Sequence, residues 1–377
     1  MHEGSPGHNA TDTLPDHRDR PAGRVALRQS LGYALRALYR ETLQFRFVYP
    51  LDIVTEAGPK ESLHYYLYSE KLSWDVMSLD PAGIPRARGR LVGEVYKPAF
   101  IAWWGLVNLG HFLRHKDEAS RNAFLNQLDW LESHAVTRAD GAVVWPNPFD
   151  CLHGATFLKA PWISAYDQGM VISALVRGYR MTGRPHLLEL LQAASQVFGL
   201  DVQHNGVRVS VGSHALYTEL PGGPVPVILD GFLTSLLGLY DLFVETGDRA
   251  VEQLFREGVE GLKYMLPSWD YRDKWSWYGA RAYLCPPSYH CLNRALLEVL
   301  ARLCSDPDLA RYAEHWDPRR LSVLGRAQIF LGFVLTKNAC RIRHRLWRQS
   351  RAKVQMIASR AAVLPGTLAA PTNKNVA

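Results

Sequence analysis

The chain has 377 residues, of which 47% are hydrophobic, 21% charged and 11% aromatic. This composition excludes a mostly disordered, collagen-like or disulfide-scaffold protein, and the length predicts one large domain or two close ones. The five cysteines form no CxxC pair and have no regular spacing. We therefore expect neither a disulfide framework nor a metal site, and a reducing compartment.

The net charge of +7 is concentrated at the C-terminus. Residues 337–377 hold nine Lys or Arg and no Asp or Glu, so the other residues carry 34 basic against 36 acidic side chains, a net charge of −2. A folded body with this balance is not predicted to bind nucleic acid. The basic tail either holds a helix against an anionic membrane surface, attracts an acidic polymer, or is a solvated helix with a disordered end.

The N-terminal residues 1–24 are rich in Pro, Gly, Asp and Arg and lack the apolar core of a signal peptide. No apolar stretch reaches the roughly 18 residues of a membrane span. The sequence predicts a cytoplasmic protein, either soluble or peripheral to the inner membrane.

In chain order, apolar spacing predicts an amphipathic helix over 27–38, and short aromatic and β-branched stretches predict strands at 45–49, 63–68 and 91–96. From residue 96 onward the pattern changes to paired helices. The predicted segments are a disordered start (1–24), a helix with short strands (25–95), helical hairpins (96–317), a basic helical segment (318–360) and a disordered tail (361–377).

The helical pairs turn near Asp117, Gly183, Gly247 and Asp306, which are 66, 64 and 59 residues apart. A repeated helical hairpin must stack on its neighbours to cover its apolar face, so the array either extends as a solenoid or closes as a toroid. With about four pairs we predict a mainly α fold, an incomplete (α/α) toroid. A strand predicted at 207–211 interrupts the pairs, and such insertions emerge on one face, where a cleft is expected.

Three segments, 217–221, 275–281 and 288–290, combine aromatic rings with charged groups outside the helical period. Aromatic rings stack on sugar rings, and Arg binds carboxylates through two bonds, which together suit an acidic polysaccharide. The alternative is that the tryptophans fill the core and the cations are solvated. The candidates for sugar binding are Trp275, Trp277, Arg281, Lys159 and Trp162.

Several short motifs are shared, in order and spacing, with one family: Tyr96-Lys-Pro98, Ala160-Pro-Trp-Ile-Ser-Ala165, Glu219 with Pro221, Asp230-Gly231-Phe232, and Tyr289-His290. From about residue 96 to 316 the chain resembles the C-terminal catalytic region of the D-glucuronyl C5-epimerases, which invert glucuronate to iduronate within heparosan-type chains. The resemblance implies an (α/α) toroid, an acidic polysaccharide as substrate and no organic cofactor. It is compatible with either a monomer or a homodimer.

Matched residue by residue, the resemblance implies Glu219, Tyr278 and Tyr289 as catalytic groups. It adds His290 and Tyr96 to the expected sugar contacts and makes Arg281 the companion of Tyr278. Several positions depart from the family. A tyrosine that follows the glutamate is Leu220 here, an Asn before the glycine is Asp230, and a polar pair before Gly105 is Trp103 and Trp104.

C5 epimerisation removes a hydrogen α to a carboxylate from one face of the ring and returns one to the other, so two acid/base groups must flank C5 and a cation must hold the developing charge. A free Tyr has a pKa near ~10, so its ionisation at pH 7 costs about 4 kcal/mol, which a nearby Arg281 or protonated His290 would reduce. Besides the epimerase, we consider a uronate polysaccharide lyase, which shares the first step, and a catalytically impaired relative that only binds an acidic glycan.

Overall fold

The computed structural model describes residues 39, 45–49, 51–69, 77–89, 92–154, 156–279 and 282–361, with side chains up to residue 344. The chain divides into two compact units, Met1–Phe45 and Arg46–Ala377. The helix predicted over 27–38 and the candidate Arg281 lie outside the described residues. The second unit is mainly helical with small sheets, as predicted.

The described residues contain nine α-helices, numbered here in chain order: α1 (Pro98–His115), α2 (Glu118–Ser133), α3 (Ala165–Thr182), α4 (His186–Ser195), α5 (Leu229–Thr246), α6 (Arg249–Trp269), α7 (Pro287–Cys304), α8 (Pro307–His315) and α9 (Val323–Ala361). Three short 3-10 helices accompany them at Gln196–Phe198, Val202–His204 and Pro318–Arg320. Within the described ranges, no helix combines the length and apolar composition that a membrane crossing needs.

The strands are short: β1 (Asp52–Ile53), β2 (Leu67–Tyr68), β3 (Met77–Leu79), β4 (Pro85–Gly89), β5 (Gly93–Val95), β6 (Val136–Thr137), β7 (Val143–Val144), β8 (Cys151–His153), β9 (Thr156–Leu158), β10 (Arg208–Val211), β11 (His214–Tyr217), β12 (Asp270–Tyr271) and β13 (Trp275–Ser276). β3, β4 and β5 form a three-stranded antiparallel sheet, and the others pair in antiparallel twos. Strands fall within the predicted stretches 63–68, 91–96 and 207–211. None is present at 45–49.

Helices α1, α3, α5 and α7 form a row, called the inner row here, because α1 packs on α3, α3 on α5 and α5 on α7. Each of these inner helices also packs on the helix that follows it. The turns of the pairs lie where the sequence predicts them: Asp117 and Asp306 are N-caps, and Gly183 and Gly247 end α3 and α5 at φ of 67° and 66°. A left-handed conformation of this kind favours glycine. One hydrophobic core extends from residue 54 to residue 316 and thus crosses the predicted boundary at 95/96.

A buried ion pair joins the inner helices to the strand segment that precedes them. Arg177 on α3 donates through Nη1 to Asp241 on α5 at 2.6 Å, and both side chains are almost completely buried. The same carboxylate accepts hydrogen bonds from Tyr66 and Ser173 at 2.6 Å each, and Arg177 also donates to the carbonyl of His64. This network fixes α3 and α5 relative to each other and to the strands.

An Asp241→Ala substitution is expected to lower the free energy of unfolding by about 3–5 kcal/mol, because it leaves the Arg177 charge buried without its partner. Glu252→Ala on α6 is the matched control, since it breaks the exposed pair with Arg256 and should leave stability nearly unchanged. Urea unfolding followed by circular dichroism measures both. Equal losses in the two variants would contradict the structural role of the buried pair.

Candidate functional site

Four helix N-termini, one from each of α1, α3, α5 and α7, contribute to the candidate site. Lys97 is the N-cap residue of α1, Asp167 and Asp230 lie in the first turns of α3 and α5, and Tyr289 lies in the first turn of α7. Lys97 interacts electrostatically with both carboxylates, and Asp230 interacts with Tyr289. Because the N-terminal end of a helix carries partial positive charge, this end of the inner row suits an anionic ligand.

Glu219 lies in a turn that follows the β10–β11 hairpin. The Thr218 hydroxyl donates to the carbonyl of Leu220 at 3.0 Å and accepts its N–H at 3.2 Å, and the N–H of Ala165 at the start of α3 donates to the Thr218 carbonyl. A Cβ at Gly231 would lie 2.7 Å from Oε2 of Glu219, so the glycine provides the space for this carboxylate. The turn thus holds Glu219 against the first turn of α5.

Lys97 is the cation of the site. Its Nζ lies 3.7 Å from Oε1 of Glu219 and above the rings of Tyr166 and Phe100, 5.1 and 5.3 Å from their centroids. Burial acts to lower the pKa of Lys97, but the negative charges of Asp167 and Glu219 outweigh it and the pKa is raised. The side chain therefore stays an ammonium at neutral pH.

Asp167 anchors this cation from the protein side. Its Oδ1 accepts the N–H of Ala99 at 3.0 Å and its Oδ2 accepts Nδ2 of Asn147 at 2.5 Å. Burial raises the pKa of Asp167, an effect that Lys97 opposes. Since the residue is completely buried and both oxygens are hydrogen-bonded, Asp167 holds the Lys97 charge in position rather than facing a ligand.

Asp230 is the most electrostatically perturbed carboxyl group near Glu219. Burial, and then the negative charge of Glu219, raise the pKa of Asp230 to about 7, against the lowering effects of backbone N–H groups and Lys97. Among the described residues its buried Oδ1 has no hydrogen-bond partner. A carboxyl group with a pKa near neutrality and an unused oxygen is suited to proton transfer.

Stacked aromatic rings lie beside the carboxylates. The ring of Tyr278 stacks on those of Tyr283, at 5.0 Å, and His153, at 5.9 Å, and the edge of Tyr289 meets it at 5.9 Å. We call these four residues the aromatic wall. Tyr289 is 43% exposed, so the wall is reached from solvent at this ring.

The structure brings the three predicted catalytic residues into one electrostatic neighbourhood. Burial raises the pKa values of Tyr278 and Tyr289, and the charges of Asp230 and Glu219 raise both further. Each phenol therefore holds its proton more tightly than a free tyrosine, which makes the phenolate a costly state here.

His290 was predicted to contact the sugar, and the structure corrects this prediction. Its ring is completely buried and stacks on Trp275 at 3.6 Å. Its Nδ1 accepts the N–H of Ser276 at 3.1 Å, and Nε2 lies 2.8 Å from the carbonyl of Trp316, to which it donates. Burial lowers the pKa of His290 to about 3, so the ring is neutral and cannot stabilise a phenolate.

The three tryptophans predicted to bind sugar differ in how deeply they are buried. Trp275 is completely buried and donates to the carbonyl of Cys285 at 2.8 Å, which corrects its prediction as a sugar platform. Trp162 is 8% exposed and donates to the carbonyl of Phe149. Trp277 is half-buried, with its ring edge-on to Tyr271 at 5.4 Å.

Two further residues predicted to contact the sugar, Lys159 and Tyr96, interact with other protein side chains. The Lys159 side chain is 77% exposed and forms an ion pair with Asp150 at 3.0 Å. The hydroxyl of Tyr96 donates to Asp80 at 2.7 Å, and its ring lies 5.7 Å from that of Trp130. Neither contact involves the carboxylates of the site.

Leu220 occupies the position where the resembling family has a tyrosine. Its side chain is 7% exposed and belongs to a small apolar cluster with Leu158, Trp162 and Ile228, against which Tyr278 packs. Leu220 thus supports the aromatic wall from behind.

Sequence reasoning missed Lys97 and underrated Asp230 as members of the site. Both lie in motifs that carry the family resemblance, Tyr96-Lys-Pro98 and Asp230-Gly231-Phe232, each at the start of an inner helix. The sequence signal that could have identified both residues is a charged side chain at the start of a helix, which occurs in more than one helical pair. Among the described residues, no group of three or more His, Cys, Asp or Glu could hold a metal ion.

Comparison with known proteins finds a similar family and two similar proteins. Residues 139–318 match the family model described as the D-glucuronyl C5-epimerase C-terminus. The chain is 28% identical over 234 residues to a D-glucuronyl C5-epimerase of Caenorhabditis elegans, a match that covers 57% of this chain and 38% of the nematode protein. It is also 28% identical over 220 residues to an uncharacterized protein of Methanocaldococcus jannaschii, covering 54% of this chain and 70% of that protein.

The chain thus spans well under half the length of the nematode enzyme that it matches. The matched segment 139–318 contains Glu219, Asp230, Tyr278 and Tyr289, whereas Lys97 precedes it. Through this segment, the chain is similar to the D-glucuronyl C5-epimerase C-terminus family.

Proposed function

We propose that this protein inverts C5 of D-glucuronyl residues to L-iduronyl within a heparosan-like acidic polysaccharide. One observation carries the proposal: the pair Glu219 and Asp230 shares the cation Lys97 and lies within electrostatic reach of two phenols. The match of residues 139–318 to the epimerase family model supports the reaction class. We also propose a cytoplasmic location and that the paired helices form an incomplete (α/α) toroid.

The first step needs a base for the C5 hydrogen. Asp230 is the group we assign, because its pKa of about 7 makes its carboxylate a stronger base than an ordinary Asp while a useful fraction is still ionised at neutral pH. The Asp230 carboxylate is the group that would accept the proton, since no hydrogen bond from a described residue occupies its buried Oδ1. Burial and then the negative charge of Glu219 give Asp230 this basicity.

The second requirement is a cation for the charge that develops on the uronate carboxyl group. Lys97 keeps its positive charge, and its side chain is 16% exposed beside Glu219. The N-terminal ends of the inner helices add partial positive charge at the same place. Together they would stabilise an enediolate that water alone would leave at high energy.

The third requirement is an acid on the opposite face of C5. We assign Tyr289, because it is the exposed phenol of the aromatic wall, and solvent must restore its proton. The raised pKa values of the phenols argue against a phenolate base. A carbanion-like C5 is far more basic than a phenolate, so a tyrosine can still protonate it.

The proposed steps conserve protons and electron pairs. The C5–H bond breaks, the proton passes to the carboxylate of Asp230, and the electron pair of that bond is delocalised into the uronate carboxyl group. The electron pair then returns to C5 and forms a new C–H bond with the proton of Tyr289 on the other face. Proton exchange with water returns Asp230 to the carboxylate and Tyr289 to the phenol.

Incubation with heparosan in heavy water tests the reaction directly. We expect deuterium at C5 and the appearance of iduronate in the proton NMR spectrum, because the C5 hydrogen exchanges through groups in contact with solvent. Unsaturated uronate without iduronate would show a lyase instead. Binding to heparosan with neither product would show a glycan-binding relative without activity.

Two tyrosine variants separate proton removal from proton return. Tyr289→Phe is expected to lose iduronate formation by at least tenfold while keeping slow C5 exchange, because Asp230 still removes the proton. Tyr278→Phe keeps the ring contacts of the wall and serves as the matched control, with a smaller loss expected. Full iduronate formation by Tyr289→Phe would remove this phenol from the mechanism.

The raised pKa of Asp230 predicts opposite effects of pH on activity and on stability. Activity should rise as the pH increases through about 7, since the carboxylate is the active form. Stability should fall over the range from the ordinary Asp pKa of about 4 up to about 7, because the folded protein binds the proton more tightly than the unfolded chain.

Asp230→Asn is expected to abolish exchange and to remove this stability loss, so that its stability relative to the wild type increases from pH 5 to pH 8. Exchange rates and urea unfolding at several pH values measure both effects. The resembling family has Asn at this position. If the Asn variant kept full activity, Asp230 could not be the base, and we would assign Glu219 to that role.

A further inference from the structure

The long helix α9 exposes an apolar stripe on the face turned away from the protein body. Leu324, Leu331, Leu335 and Ile342 are 80, 58, 60 and 61% exposed. At about 100° per residue, these four positions fall within about 40° of one another around the helix axis. Together they form the apolar stripe of α9.

The opposite face of α9 is already occupied. Ile329, Phe333 and Cys340 are buried, and they project roughly 160° from the stripe. The Leu284 N–H donates to Thr336 on this face at 3.0 Å. The helix is therefore fixed to the protein by one apolar face and presents a second apolar face outward, which is unusual for a helix at the edge of a soluble protein.

The charge around the stripe is positive only. No Asp or Glu occurs between residue 318 and residue 377, and nine Lys or Arg lie in 337–377. Arg341 and Arg343 project roughly 100° to either side of the stripe. An apolar stripe bordered by cations is the pattern of a helix that lies in the interface of an anionic lipid layer.

We propose that the apolar stripe of α9 docks on a membrane surface that contains anionic lipid. A second copy of this chain would bring two uniformly basic helices together, and the like charges would repel. An acidic polysaccharide would pair with the cations but would leave four large apolar side chains in water. Anionic lipid alone satisfies both the stripe and its charged borders.

The buried face of α9 links this surface to the candidate site. Nζ of Lys337 lies 4.0 Å from the ring centroid of Tyr283 in the aromatic wall. A Cβ at Gly154, next to β8, would lie 3.0 Å from the ring of His344. Docking through the outer face would therefore hold the aromatic wall close to the membrane, whatever reaction the site performs.

Vesicle flotation of the full chain tests the docking. We expect binding to phosphatidylcholine vesicles that contain phosphatidylglycerol, much weaker binding to phosphatidylcholine alone, and a decrease with added salt. The double variant Leu331→Asp with Leu335→Asp should bind the anionic vesicles at least tenfold more weakly, since it places two charges in the stripe. Its melting temperature should stay near that of the wild type, because both positions are exposed.

The matched control is the double variant Leu79→Asp with Val136→Asp, which charges two apolar side chains that are 48 and 45% exposed elsewhere on the protein. It should bind the vesicles like the wild type. Equal weakening in both double variants, or no preference for anionic vesicles, would overturn the proposal. A dimer in light scattering that the stripe variant dissociates, without vesicle binding, would identify a second copy as the occupant instead.

Discussion

Two carboxylates and one ammonium, withdrawn from water at the start of the inner helices, are the constraint on which the candidate site depends. Glu219 and Asp230 are close enough for the charge of one to raise the pKa of the other, and Lys97 offsets only part of that repulsion. In water such a pair would simply ionise. Inside the protein, one carboxyl group remains poised between its two protonation states at neutral pH, which is the property that proton transfer at carbon requires.

The fold maintains this arrangement with ordinary packing. Because α1, α3, α5 and α7 lie side by side, their first turns meet at one end of the row, and the return helices take no part in the site. Gly231 leaves room for the Glu219 carboxylate, and Thr218 holds the turn that carries it. The buried pair of Arg177 and Asp241 joins α3 to α5.

Much of this architecture could be predicted from the sequence, because helical period and turn residues act locally. The turns at Gly183 and Gly247 and the strand over 208–211 follow from such signals. The directions of side chains do not, since they depend on partners distant in the chain. His290 follows a predicted catalytic tyrosine but points inward, because Ser276 and Trp316 occupy both ring nitrogens. Lys97 belongs to the site because the fold places it 3.7 Å from Glu219, a residue distant in the chain.

The measurement that tests the shared-charge site most directly is the pKa of the Asp230 carboxyl group, followed by carbon NMR of the labelled side chain in the wild type and in Glu219→Gln. Removal of the neighbouring negative charge should lower the pKa of Asp230 from its raised value toward that of an ordinary Asp, with the fold and the Lys97 charge retained. An Asp230 that titrates identically in both proteins, or at an ordinary value in the wild type, would contradict the coupling from which the proposed chemistry follows.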